Sequence, residues 1–392
     1  MPADFLDTFP VRGSTQIEWM TGLVRRVPAE PRAPLRVEGL GATGVTDERR
    51  HGRGNQDRLA VAYSTGPDAG GWLMAIVCDG VGGSAHGELA ASYCISVMVQ
   101  SLASGYRTNA PANYLLRQAI SSANSAVSSA FEGRSSTTVV ALLVTENDAG
   151  LGWVGDSRAY ALTPKGHKLL SSDDTFGAAV AKHSAHLSIE LSEEYADRLS
   201  QAVGGSNPIS PNLALLTAEA QGDSSFLLCT DGIWKPAEPI LGRTLDACDD
   251  PKDALRRLLL ISEFAGGVDN ATGIYLPSIR KIRSFLSDIR MSSYSEGAVV
   301  HLPGPTQTVL QVSKSPFKRE SAVERFDTVR EPKNPKAAAR SRRAIKNRDE
   351  VQPEVKTLRP NAGHQMVIEE EPSDGTTTPE STQQVSGDKS PT

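Results

Sequence analysis

An apolar run, Trp72 to Val77, passes through Cys78 straight into Asp79-Gly80-Val81-Gly82-Gly83. This junction constrains the fold more than any other stretch. The run predicts a buried strand, and the Asp-Gly that ends it places a carboxylate where buried backbone opens to solvent. The glycines allow a sharp turn and bring backbone carbonyls close to whatever the carboxylate holds. Taken alone, Asp-Gly is a turn signal. The pattern recurs, however, at Leu227-Leu228-Cys229-Thr230-Asp231-Gly232, and Val268-Asp269-Asn270 opens another apolar segment, Ala271 to Leu276. Isolated carboxylates at several strand edges suit hard divalent cations, which prefer oxygen donors.

The apolar runs concentrate between Leu35 and Leu276, enough chain to bury a sizeable core in one large domain or two smaller ones. A net charge of -5 argues against a binder held to nucleic acid by electrostatics. Cys78, Cys94, Cys229 and Cys248 show neither CxxC spacing nor a secreted disulfide framework, so a reducing cytoplasm is expected. Cys78 and Cys229 read as small apolar packing residues. Neither a secretory signal pattern nor a window of membrane-spanning length is evident.

Along the chain, residues 1–34 read as an arm, ordered in part at best, with Trp19 and Met20 as docking candidates. Strands are expected at Leu35 to Thr43 and at Leu59 to Tyr63. Helical spacing predicts a helix over Gly87 to Leu102 and a second one starting at Pro111. Strands return at Thr137 to Val144, Leu151 to Val154 and Arg158 to Leu162, with connections tight enough to imply antiparallel pairing. The polar stretch from Ser171 to Pro211 reads as an insertion near the site, a candidate flap. Phe226 to Thr230 is a buried strand, Asp253 to Phe264 a helix, and Val268 to Leu276 a last strand. A folded domain is thus expected over 35–280. The remainder, 281–392, grows rich in Pro, Ser, Thr, Lys, Glu and Gln, most sharply beyond Arg290, and is expected to be a disordered low-complexity tail. Its Lys/Arg clusters suit a solvated tail first, and contact with an acidic partner, lipid or nucleic acid second.

Beside the three strand-edge aspartates stands Asn55-Gln56-Asp57. Carboxylates converging from separate strands repel one another, and two divalent cations would offset that repulsion. Such a pair lowers the pKa of a shared water to give a nucleophile near neutral pH. A nearby guanidinium would grip phosphate oxygens in a planar fork. The residue types and their spacing support metal-assisted hydrolysis, with a phosphate ester as the first expectation for the substrate.

The ordered set of motifs is more specific. Gly54-Asn55-Gln56-Asp57, Asp79-Gly80-Val81-Gly82-Gly83 with Gly87-Glu88, Ser136-Thr137-Thr138, Gly155-Asp156-Ser157-Arg158, Thr230-Asp231-Gly232-Ile233-Trp234 and Asp269-Asn270-Ala271-Thr272 occur in this order. Together they resemble the metal-dependent serine/threonine protein phosphatases of type 2C, the PPM family, in their bacterial form. The resemblance implies an α+β fold, a four-layer αββα sandwich of two mainly antiparallel sheets flanked by helices. It also implies two Mn²⁺ or Mg²⁺ ions, with Asp79 bridging them, the Gly80 carbonyl ligating one, Asp231 and Asp269 holding the other, and Asp57 acting through bound water. A metal-bridging hydroxide would attack phosphoserine or phosphothreonine in proteins, opposing a serine/threonine kinase; neither a nucleic-acid partner nor a membrane span is expected.

Departures from the family pattern bear on activity. Gln56 offers a neutral amide where many members carry Glu. Gly52 occupies the usual phosphate-arginine position; Arg53, one residue away, takes the role by this reading, with Arg50 as the substitute. Lys235 stands where an Asp often serves a third ion beside Asp156. Val81 and Ser84 stand where relatives carry His, and His86 is a weak replacement. Asp156 also reads as a turn residue, Arg158 as a loop-fixing residue, and His51, His86 and His167 as surface histidines. Two readings remain: an active phosphatase, or a catalytically weak module of the same fold that binds phosphoproteins as a scaffold.

Overall fold

A computed structural model of the chain describes residues 15–26, 34–48, 54–64, 71–81, 86–106, 110–163, 166–183, 191–217, 222–248, 250–292, 298–304 and 308–312. The chain begins with helix α1 (Thr15–Val24), followed by strands β1 (Leu35–Val37), β2 (Ala42–Asp47), β3 (Arg58–Ser64) and β4 (Trp72–Cys78). Helices α2 (Gly87–Gly105) and α3 (Ala112–Phe131) lead into β5 (Val139–Thr145), β6 (Ala149–Val154), β7 (Arg158–Thr163) and β8 (Gly166–Leu169). Two short helices, α4 (Phe176–His183) and α5 (Glu193–Ala196), precede β9 (Asn212–Leu215) and β10 (Ser225–Cys229). The order closes with α6 (Asp231–Ala237), α7 (Leu241–Asp246), α8 (Pro251–Phe264), β11 (Ala271–Leu276), α9 (Ile279–Ser292), β12 (Ala298–Leu302) and β13 (Thr308–Val312).

The strands form two sheets, one ordered β1-β2-β11-β10-β7-β8 and the other β13-β12-β3-β4-β5-β6-β9. Every pairing is antiparallel. The period-2 geometry of a strand explains why β4 reads as an unbroken apolar run. Leu73, Ala75 and Val77 join the cluster between the sheets with Phe226, Leu228 and Ile274. Met74, Ile76 and Cys78 face the opposite way, into the cluster that α2 and α3 cover. On the outer face of the other sheet, Ile233, Leu255 and Leu258 of α6 and α8 pack on Leu227 and Cys229. Helix, sheet, sheet, helix is the resulting order, the expected αββα sandwich.

Residues 15–26 are the ordered part of the expected arm, where Met20 docks together with Ile17 and Val24 of α1 in the same buried cluster as α2. Two expectations need correcting. The expected first strand, Leu35 to Thr43, is two strands, because Gly39 and Gly41 take φ values of 77° and 79° and reverse the chain. Ordered structure also continues beyond residue 280. Helix α9 sends Ile279, Ile282, Phe285 and Leu286 into the inter-sheet core. Strand β12 pairs with β3 and would otherwise leave it as an edge. The rest of the expected tail, 313–392, lies outside the described residues, as does the side chain of Trp19.

Candidate metal centre

The site forms where strand ends from both sheets meet. Asp79 follows β4, Asp231 follows β10 and begins α6, and Asp269 precedes β11. Asp79, Gly80, Asp156, Asp231, Asp269, Gln56 and Thr138 line one cavity of about 350 Å³. Asp57, just before β3, has no exposed surface and lies close enough to Asp231 and Asp269 to be raised by their charge. The carboxylates foreseen at Asp57, Asp79, Asp231 and Asp269 are therefore brought together, with Gly80 beside them. Arg53, Arg50 and His51 lie outside the described residues.

Hydroxyl and amide groups hold the acids in place. Thr230 Oγ1 donates to Asp57 Oδ2 at 2.9 Å, and accepts from the Thr272 amide at 3.0 Å. Thr138 Oγ1 accepts from the Asp79 amide at 3.0 Å, Thr137 Oγ1 donates to the Asp79 carbonyl at 2.8 Å, and Thr138 is linked to Ser157 at 2.8 Å. The Gly155-Asp156-Ser157 turn is thereby tied to the Asp79 loop. Asn270 ties a second loop: Oδ1 accepts from the Gln56 amide at 2.9 Å, and Nδ2 donates to the Glu48 carbonyl at 2.8 Å. Buried Arg58 donates at 2.7 Å to the carbonyls of both Asn55 and Asp57, which fixes the backbone around Asp57. The hydroxyls of Thr230 and Thr272 and the guanidinium of Arg58 were not singled out from sequence. Thr230 and Thr272 do flank the aspartate motifs, the one signal that pointed their way.

The electrostatics reflect crowding. Burial pushes Asp57 up to about 7 from 3.8, with Asp269 and Asp231 adding to the rise while Thr272 and Thr230 oppose it. Burial, followed by the charges of Asp57, Asp231, Asp269 and Asp156, drives Asp79 well above the carboxylate range. Asp156 also rises to about 7, through burial and Asp231, with Lys235 pulling it back. Lys235 Nζ sits 3.0 Å from Asp231 Oδ2 and 3.3 Å from Asp197 Oδ2. Burial works against this ammonium, but Asp231, Asp156 and Asp197 outweigh it and hold its pKa above the ordinary lysine value.

Arg158 is committed elsewhere. It forms a two-point ion pair with Asp173 at 3.0 and 2.8 Å, another with Glu238 at 2.9 Å, and stacks over Trp234 with its guanidinium carbon 3.3 Å from the ring centre. Trp234 in turn donates to the Asp156 carbonyl at 2.9 Å. Arg158 therefore fixes the wall behind Asp156.

Two observations bear on whether divalent cations fit here. Oδ1 of Asp57 and Oδ1 of Asp231 are buried and accept no hydrogen bond, which is costly unless a positive centre serves them. The donors are carboxylates and a Gly80 carbonyl, the oxygen set that Mg²⁺ and Mn²⁺ prefer. Among the described residues, no group of three or more His, Cys, Asp or Glu side chains stands close enough together to hold a metal ion by itself. Backbone oxygen and water would have to complete the coordination. The residues fit such ions.

Comparison with known proteins agrees with the fold. The chain is 29% identical over 217 residues to the serine/threonine protein phosphatase PstP of Mycobacterium tuberculosis, a match covering 52% of this chain and 40% of PstP. It thus spans less than half the length of that relative. Among solved structures, the serine/threonine phosphatase Stp1 of Staphylococcus aureus superposes with a TM-score of 0.51 at 23% identity, over 61% of this chain and 94% of Stp1. The S. agalactiae serine/threonine phosphatase gives 0.50 at 20% identity, over 60% and 98%. The protein phosphatase 2C family model matches residues 46–259, from the strand before Asn55 to the helix before Asp269. With more than half its length in that match, the chain belongs to the protein phosphatase 2C family.

Proposed function

We propose that this chain hydrolyses phosphoserine and phosphothreonine in proteins in a metal-dependent reaction, opposing a serine/threonine kinase. The observation that carries the reading is the meeting of Asp79, Asp156, Asp231 and Asp269 at one cavity with Asp57 buried close by, and two buried carboxylate oxygens left unpartnered. Asp79, the Gly80 carbonyl, Asp231 and Asp269 would hold two Mn²⁺ or Mg²⁺ ions, with Asp57 behind them. Bound there, the ions supply charge that neutralises the carboxylates and lowers the pKa of an attacking water. The chain's own residues do the positioning. Thr137, Thr138 and Thr230 fix the acids, Asn270 fixes the Gln56 loop, and the buried walls keep the dielectric low. Arg53 remains the candidate for gripping the phosphoryl oxygens. Four unpaired cysteines suit a reducing cytoplasm, and among the described residues no helix is long and apolar enough to cross a membrane.

A scaffold that binds phosphoproteins without turnover is the second reading, favoured by the Lys235 ammonium on Asp231. Hydrolysis of p-nitrophenyl phosphate with and without Mn²⁺ separates the two. The expected result is manganese-dependent turnover that falls by about 10²-fold or more in Asp231→Asn. No manganese-dependent turnover in the wild type would leave the scaffold.

A further inference from the structure

The cavity's acids are not equally available to an added ion. Asp231 presents two oxygens with different fates. Oδ2 is taken by Lys235 Nζ at 3.0 Å, while Oδ1 is buried and unpartnered. The same ammonium reaches Asp197 Oδ2 at 3.3 Å and acts on Asp156 through its charge. Two carboxylates from separate segments, Asp197 after α5 and Asp231 at the start of α6, thus share one positive centre by contact, and Asp156 of the Gly155-Asp156-Ser157 turn lies near enough to feel its charge.

That arrangement is what a metal ion would otherwise provide. An ammonium carries one charge on a flexible stem and three donors, so it bridges carboxylates without needing a full oxygen sphere. Lys235 is also positioned by its own element. It lies one turn along α6 from Asp231, the spacing at which helical side chains meet, and its Nζ lies 5.6 Å from the centre of the Trp234 ring. Asp197 is anchored from the other side. The Phe176 amide donates to the Arg198 carbonyl at 2.9 Å and the Ser200 amide to the Asp174 carbonyl at 2.8 Å, placing Leu199 in the cavity wall.

We propose that Lys235 is a resident cation that takes the place of a divalent ion among Asp156, Asp197 and Asp231. The inference rests on the phosphatase reading above and sets its metal content. Ions load only toward Asp57, Asp79, Gly80, Asp269 and the free Oδ1 of Asp231, and the Asp156 side of the cavity binds none. Lys235 also leaves Asp231 a single oxygen for an added ion, which weakens the ion it helps to hold.

The test is Mn²⁺ bound per full-length chain, by equilibrium dialysis with elemental analysis and by calorimetry, in the wild type, K235R, K235Q and K235D. K235R keeps the charge and is expected to match the wild type. K235Q removes it and is expected to bind Mn²⁺ about tenfold more tightly, since an ammonium no longer repels the ion. K235D adds a carboxylate to Asp156 and Asp197 and is expected to take up one further ion per chain. If K235D does not fold, the K235Q affinity decides the matter alone. Equal Mn²⁺ affinity and content in K235Q and the wild type, or a gain in K235R, overturns the assignment. A wild type that binds no Mn²⁺ at all overturns the phosphatase reading instead, and the two failures are told apart by that one control.

Discussion

Asp57 shows what the cavity costs at the level of a single side chain. It is fully buried, one oxygen is served by Thr230, and the other has no partner. Without a cation the folded chain therefore keeps Asp57 protonated up to about 7, against 3.8 for an ordinary aspartate. The unfolded chain releases that proton earlier, so it binds fewer protons between those two values. Stability contributed by the neutral carboxyl is complete below 3.8 and is lost as pH rises through about 7. Asp156 works in the same direction. The melting temperature of the metal-free chain is expected to fall between about pH 5 and about pH 8, and Mn²⁺ to raise it more at the higher pH. A flat profile by differential scanning fluorimetry would contradict the burial of these acids. Replacing Thr230 by Val removes the donor to Asp57 Oδ2 and is expected to cost about 1–3 kcal/mol in a denaturant titration of the metal-free chain. The four aspartates were legible in the sequence because each sits at the end of an apolar run or beside a turn residue. The role of Thr230 was not, since its partner is 173 residues away and a threonine between strand and helix shows only its place beside Asp231, not what its hydroxyl will meet.

Between elements, the site depends on backbone packed against backbone. A β-carbon at Gly232 would overlap the carbonyl of Asn270, and one at Gly80 would overlap the backbone of Gly87 at the start of α2. Neither neighbour is a flexible side-chain tip that can swing away. Gly232→Ala is thus expected to push α6 from the start of β11, costing about 3 kcal/mol, and to weaken Mn²⁺ binding because Asp231 begins that helix. Chemical denaturation and calorimetry would read the two effects separately. An unchanged midpoint together with unchanged Mn²⁺ affinity would mean the approach is looser than described. Sequence reading succeeded for elements whose covering is local. The stretch β4 followed by α2 was plain, because an apolar run and a helical stripe each declare themselves. It failed for α9, although Ile279, Ile282, Phe285 and Leu286 recur at helical spacing. Arg280, Lys281, Arg283, Asp288 and Arg290 dilute that stripe, and the composition shift beyond it drew the boundary too early. Strand β12 failed for a different reason. Its partner β3 lies more than 230 residues earlier, so nothing near it in the chain announces the pairing.

For the molecule as a whole, the consequence is a boundary that can be tested by cutting. A chain ending at residue 280 would lose Ile282, Phe285 and Leu286 from between the sheets, and Val300 and Leu302 from the α2 side. Large apolar side chains contribute about 1.5–3 kcal/mol each when buried. Their combined loss is comparable with the entire net stability of a typical domain, about 5–15 kcal/mol. The cut would also expose the free edge of β3, where the backbone groups that β12 satisfies would be open to another chain. We therefore propose that the folded domain ends after β13 rather than at 280. The truncation at 280 is expected to aggregate or to melt without a cooperative transition. One at 321, which keeps the compact unit spanning residues 1–321, is expected to keep the full-length midpoint and the turnover proposed above. Removal of residues 1–33 should behave like the shorter cut, because Ile17, Met20 and Val24 leave the α2 core together and Arg58 Nη2 loses the Arg25 carbonyl at 3.2 Å. Size-exclusion chromatography and thermal melts of the three truncations decide the matter. A stable, monomeric, active 1–280 chain would mean that α9 and β12 decorate the sandwich rather than close it.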